Sequence, residues 1–150
     1  MTEITLTISK QDVYEEVAQT TSYTGSKMED DQTAYQRIAT QDEDQSMLER
    51  FWEESKNMVC SNLKKMLISE EEQNGTYTII LGVSSSFDSN LKDSMQSGLF
   101  SFFVMNITSK WYNYTNKKEA IGCAEQAASI MDDIKRKAFF KKGPKRPTYQ

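Results

Sequence analysis

The sequence predicts a mainly α fold, an antiparallel bundle of about three long helices with a small β element and extended termini. Apolar residues recur at steps of three and four over three separate stretches. Both prolines, Pro144 and Pro147, lie in the tail, which leaves the rest of the chain free to run as uninterrupted helix. Alternation with a period of two is confined to two short runs.

The first of those runs opens the chain. Ile4, Leu6 and Ile8 alternate with Thr5, Thr7 and Ser9, the pattern of a half-buried strand or extended arm. One isolated strand needs a partner, so Ile4, Leu6 and Ile8 are expected to pair with a strand of another chain. Ser9 followed three residues later by Asp12 resembles a capping box, starting a short helix through Val13, Tyr14, Val17 and Ala18. The polar run TTSYTGSKMEDD then reads as a loop. Residues 1–40 therefore form an inter-subunit arm, ahead of a helical core at 41–140 and a basic extended tail at 141–150.

Asp42, Glu43 and Asp44 sit where a helix amino terminus favours negative charge. Met47, Leu48, Phe51, Trp52, Ser55, Met58, Val59, Leu63, Met66 and Leu67 then follow the helical period, which predicts a helix over residues 42–68. At 1.5 Å per residue it spans about 40 Å, too long to be covered without a second long helix beside it. Asn74-Gly75 is a turn signal, and Tyr77, Ile79 and Leu81 alternate with Thr78, Ile80 and Gly82 to give a strand over 76–83. Ser89 or Asn90 caps the next helix, which carries Leu91, Met95, Leu99, Phe102, Phe103 and Met105 toward Trp111 and Tyr112. After TNKK, a stripe of mainly small residues, Ala120, Cys123, Ala124, Ala127, Ile130, Met131, Ile134 and Ala138, marks a last helix that packs closely on its neighbour. That helix is expected to stop near Gly143.

The 150 residues contain 18 Lys and Arg against 22 Asp and Glu, a net charge of −4 that conceals strong segregation. Residues 1–90 carry 17 acids and 7 bases, whereas residues 91–150 carry 5 acids and 11 bases. Such a division suits a basic tail for nucleic acid, and equally identical subunits that meet acidic face to basic face. With 37% hydrophobic residues the chain builds one modest core, and partners are expected to complete its burial.

Catalytic chemistry finds little purchase. The chain has no histidine, which removes the usual base near neutral pH and the commonest zinc ligand. It has no glycine-rich phosphate loop and no GxSxG. Cys60 and Cys123 fall on or beside apolar stripes and read as small buried packing residues, not nucleophiles. An enzyme would have to gather carboxylates or a cysteine from distant parts of the chain. The acidic runs Asp42-Glu43-Asp44 and Glu70-Glu71-Glu72 are oxygen donors for a hard cation in principle, but the first fits a helix start and the second a solvated turn. Three glycosylation patterns, at Asn74, Asn106 and Asn113, are set aside because the amino terminus has neither a basic start nor an apolar signal core, which points to a reduced, cytosolic setting. No apolar run is long enough for a membrane span, so no membrane partner is expected. The aromatic group from Phe100 to Tyr114 could stack on bases, but its helical spacing favours the core.

The tail is the one segment with a functional alternative. Lys141, Lys142, Lys145 and Arg146 could lie along phosphates or enter an acidic groove on a protein. Pro144 and Pro147 restrict its free conformations and Tyr149 adds a flat anchor, which favours a protein groove.

The order DEDQSMLERFWEESKNMVCSNLKKML, a short strand and FD, LKDSMQSGLFSFFVMNITSKWYNYTNKKEA, then IMDDIKRKAFFKKGPKRP resembles the head-tail connector proteins of tailed bacteriophages over residues 35–147. Asp42, Asp44, Trp111, Tyr112, Asn116, Lys117, Glu119 and Ala120 stand at the family's acidic start, aromatic helix end and N-K-x-E-A turn. The resemblance implies a structural protein of the virion neck, made in the bacterial host cytoplasm, without catalytic activity or cofactor. It implies a dodecameric ring under the portal protein, with the tail or further neck proteins on its other face and genomic DNA passing through without specific binding. On this reading Lys141, Lys142, Lys145, Arg146, Pro147 and Tyr149 dock the tail on the portal. A small nucleic-acid-binding protein using the same basic tail is the rival.

Overall fold

A computed structural model of the chain describes residues 2–26 and 44–139. Strand β1 (Thr2–Ser9) leads into helix α1 (Lys10–Ser26). Helix α2 (Gln45–Asn62) is followed by strands β2 (Leu67–Gln73) and β3 (Thr76–Val83), a 3-10 turn (Ser89–Leu91), and helices α3 (Lys92–Thr115) and α4 (Lys117–Phe139). The fold is mainly helical with a small antiparallel sheet, as the periodicities predict, and has one strand more than they revealed.

The sheet runs in the order β1-β3-β2, with β3 at its centre. Asn74 and Gly75 close the β2–β3 hairpin with positive φ angles of 53° and 79°, the conformation an Asn-Gly two-residue turn supplies cheaply. Against β3, Ile4 lies opposite Leu81, Leu6 opposite Ile79 and Ile8 opposite Tyr77. All six side chains are buried on the face that packs against the helices. Ile4, Leu6 and Ile8, expected to pair with a strand of another chain, have a partner strand within their own. Their alternation matches that of β3 residue for residue, so the strand finds its partner in its own chain. Val13 and Val17 of α1 sit in the same core, so residues 2–26 pack against the helical core of their own chain.

One edge of β1 is paired with β3 and the other carries a clasp from α3. The side-chain amide of Gln96 accepts a hydrogen bond from the backbone N–H of Thr7 at 2.9 Å and donates one back to the carbonyl of Thr7. A carboxamide thereby imitates the backbone of a neighbouring strand at one position of an otherwise open edge.

Four assignments differ from the periodic reading. Helix α1 starts where expected, with Ser9 Oγ accepting from the N–H of Asp12 at 3.4 Å, but continues to Ser26. Thr21 is buried with its hydroxyl donated to the carbonyl of Val17 at 2.9 Å, so the Thr- and Ser-rich run satisfies itself within the helix. Helix α2 ends at Asn62, short of residue 68. Leu63 and Met66 remain buried in the turn that follows, so apolar spacing persists after the helix has stopped. Glu70-Glu71-Glu72, read as a solvated turn, belongs to β2. Asp88, not Ser89 or Asn90, caps the approach to α3 by accepting from the N–H of Asn90 at 3.1 Å.

Helices α3 and α4 form a tight hairpin around Asn116, whose N–H returns to the carbonyl of Tyr112 at 2.7 Å. Ala120, Ala127, Met131, Ile134 and Ala138 make the buried face of α4, Cys123 and Ile130 flank it, and Ala124 points to solvent instead of joining the stripe. Gly98 is what lets the helices close: a Cβ there would stand 3.3 Å from Cγ1 of Ile134. The expected stop of α4 near Gly143 lies outside the described residues. Of the sequence patterns for glycosylation, Asn106 is buried and donates to Ser55 Oγ at 2.8 Å, tying α3 to α2.

Gly98→Val should overpack this contact and lower stability by about 1–3 kcal/mol in urea unfolding, with Ile134→Val in the same chain recovering part of the loss.

Candidate functional site

Trp52 lies at the meeting point of the two layers. It is fully buried, with its ring 4.7 Å from Phe103 of α3 and 6.2 Å from Tyr77 of β3, and Tyr14 of α1 presents an edge at 6.4 Å. Its indole N–H donates to Glu72 Oε1 at 2.9 Å. Glu72 also receives Lys56 at 2.6 Å and stands 3.4 Å from Lys10, which itself grips both oxygens of Glu49. Charges from α1, α2 and β2 thus ring the tryptophan. Burial opposes ionisation of Glu72, but the hydrogen bonds from Lys56 and Trp52 outweigh it and hold the carboxyl below its ordinary range.

A second carboxylate faces the same side of β2. Glu70 accepts from Cys60 Sγ at 2.6 Å and from the Tyr77 hydroxyl at 2.5 Å, and these two hydrogen bonds lower its pKa. Burial and the adjacent carboxylate push the Cys60 thiol up, the opposite of what a nucleophilic thiolate needs. Both cysteines are half-buried, and Cys60 acts as a hydrogen-bond donor where the sequence suggested plain apolar packing.

The aromatic run on α3 divides. Phe102, Phe103, Trp111 and Tyr112 are core, Phe100 is half-buried, and Tyr114 is exposed, lying over Phe51 in a stacked arrangement at 6.3 Å. Asp44 directly precedes α2, Lys117 and Glu119 lie exposed in the first turn of α4, and Ala120 is buried. Asp42 and every residue of the proposed tail contact, Lys141, Lys142, Lys145, Arg146, Pro147 and Tyr149, lie outside the described residues. Among the described residues no group of three or more His, Cys, Asp or Glu side chains is placed to hold a metal ion, and no helix is long and apolar enough to cross a membrane.

Two concave surfaces stand at opposite ends of α2. At its start a polar pocket of about 560 Å³ is lined by Lys10, Tyr14, Glu15, Gln45, Glu49 and the hairpin turn. The outer side of α1 beside it exposes Asp12, Glu15 and Glu16. At the far end, Lys64, Lys65 and Lys135 surround a pocket of about 400 Å³ with Met66 and Phe139. A smaller pocket of about 250 Å³, bounded by Gly82, Val83 and Ala138, continues it past Met66 and Phe139. No carboxylate is among the described residues lining this basic groove. Sequence reasoning missed the groove because it placed Lys64 and Lys65 within a helix; only the fold brings them to Lys135. The sole local signal was an uninterrupted Lys-Lys pair followed by no acid for four residues.

Comparison with protein-family models, with curated proteins and with solved structures gives no match to this chain.

Because Glu70 and Glu72 have folded pKa values below the ordinary 4.5, the stability they contribute is complete above that value and is lost as pH falls through their lowered folded values. Thermal unfolding followed between about pH 6 and pH 3 should show a steep loss of stability at the acid end, and Glu72→Gln should flatten it. At neutral pH the same substitution should cost about 1.5–3 kcal/mol, the range for hydrogen bonds to a charged group.

Proposed function

We propose that this chain is a head-tail connector subunit of a tailed bacteriophage, a structural protein with no catalytic role that forms a ring between the portal and the tail. The observation that carries the reading is the joint order of its motifs. Asp44 opens α2, Phe87-Asp88 leads into α3, Trp111-Tyr112 closes the buried face of α3, and Asn116 separates α3 from α4, which begins at Lys117. Each of these motifs, among the described residues, falls at a helix boundary or helix end. On this reading α2, α3 and α4, with the β2–β3 hairpin between them, are the connector core, and β1 with α1 is an addition seated on it.

The charge distribution supports a ring. A channel passing DNA favours acidic walls, which repel phosphate and prevent sticking, while contacts to other proteins can use the basic segments. The tail residues Lys141, Lys142, Lys145, Arg146, Pro147 and Tyr149 are assigned to the portal, docking as an extended segment. The protein would be made in the host cytoplasm and reside at the virion neck, with the tail or further neck proteins on its distal face.

Electron microscopy of the purified protein mixed with its phage's portal should show a ring stacked coaxially on the portal. A chain that ignores portal at all concentrations would sink the reading. Deleting residues 141–150 should leave the helical circular-dichroism signal intact and abolish co-sedimentation with portal; retained binding would remove the tail from the account.

A further inference from the structure

We propose that the basic groove at the end of α2 is the docking site for the acidic outer face of α1 on a second copy of this chain, joining subunits head to tail. The proposal rests on the ring reading above and names the contact between neighbours.

The groove combines two features that a solvated surface has no need to combine. Lys64 and Lys65 project from the α2–β2 turn and Lys135 from α4, and none of the three has a carboxylate partner in the ion pairs that the described residues form. In the same pocket Phe139 remains 64% exposed, although Met66 is buried. The site therefore offers uncompensated positive charge around an apolar step, which fits an acidic partner surface that also carries some hydrocarbon.

The outer face of α1 has that chemistry. Asp12, Glu15 and Glu16 are exposed within two turns of helix, and among the described residues the one side-chain hydrogen bond to their carboxylates runs from Gln11 to Glu15 at 3.2 Å. Their aliphatic stems supply the hydrocarbon. Glu15 borders the pocket at Gln45, whereas the groove borders Asn62, so the two surfaces are separated by the length of α2. Eighteen helical residues span about 27 Å. Two unlike charges held that far apart on a rigid body do not neutralise one another through salt-containing water, because the Debye length is only about 8–10 Å. They are free to act between copies. A contact between different surfaces of identical subunits is heterologous, and such contacts close into rings when the rotation permits.

The test is charge exchange. Lys64→Glu with Lys65→Glu, and separately Glu15→Lys with Glu16→Lys, change exposed side chains, and circular dichroism verifies that each protein folds. Self-association is followed by sedimentation at low and high salt. Wild type should associate beyond a dimer, and each variant alone should associate at least about tenfold more weakly. An equimolar mixture of the two should recover assembly, because alternating copies place every reversed groove against a reversed helix. Unchanged association of the variants, a mixture that stays dissociated, assembly that halts at a dimer, or a wild-type chain monomeric at its highest soluble concentration would each overturn the proposal. So would a groove that binds duplex DNA with a steep salt dependence lost in Lys64→Glu/Lys65→Glu while association is unaffected. Rings of the variants seen on portal at wild-type occupancy would discard this contact and leave the connector reading standing.

Discussion

The hydrogen bond from the Trp52 indole to Glu72 is the point on which both layers of this protein turn. An indole buried without a partner for its N–H would carry a desolvation cost, and a carboxylate drawn toward the core would carry a larger one. Each resolves the other. The remaining capacity of Glu72 is taken by Lys56 from the same helix as Trp52 and approached by Lys10 from the start of α1, so one carboxylate fixes the sheet, α2 and α1 in a single arrangement. Phe103 and Tyr77 then close on the indole from α3 and β3. The polar groups specify the arrangement and the aromatic rings supply most of its burial energy.

Much of this was legible in the sequence. The Asn-Gly turn, the strand from Thr76 and the stripes of α2, α3 and α4 follow from local rules that the tertiary structure leaves intact. What was illegible depended on partners far along the chain. The charged run Glu70-Glu71-Glu72 has poor strand propensity and reads as solvent-facing, yet it forms β2 because Glu70 and Glu72 meet Tyr77, Cys60, Trp52 and Lys56. Similarly, the pattern of Ile4, Leu6 and Ile8 announced a strand without naming its partner. The overhang of apolar spacing beyond Asn62 shows the limit of periodicity: Leu63 and Met66 are buried by position in the turn, not by lying on a helix face.

The candidate surfaces were the least legible part, for the same reason. Lys64 and Lys65 are separated from Lys135 by nearly half of the chain and form one groove with it only because the α3–α4 hairpin returns α4 beside the end of α2. The low apolar content had implied a subunit incomplete alone. The described residues nevertheless close a continuous core from Ile4 to Ala138, so what is left for partners is mainly charge and a few exposed rings and aliphatic side chains such as Tyr23, Tyr114, Ile121 and Phe139. Assembly from such parts would join finished subunits instead of completing unfinished ones.

The pairing of β1 with β3 also orders events during synthesis. The strand β1 is translated well before its partner, which ends at Val83, and the Gln96 clasp that covers the edge at Thr7 comes later still. At elongation rates of about 5–20 residues per second, Ile4, Leu6 and Ile8 wait on the order of 4–20 seconds for the strand that will bury them. During that interval the nascent chain presents an apolar ribbon with two open edges, while α1 and α2 are already able to form from local contacts. The most vulnerable state of this protein is therefore a half-made one, and chaperone dependence would be decided before α3 has been translated.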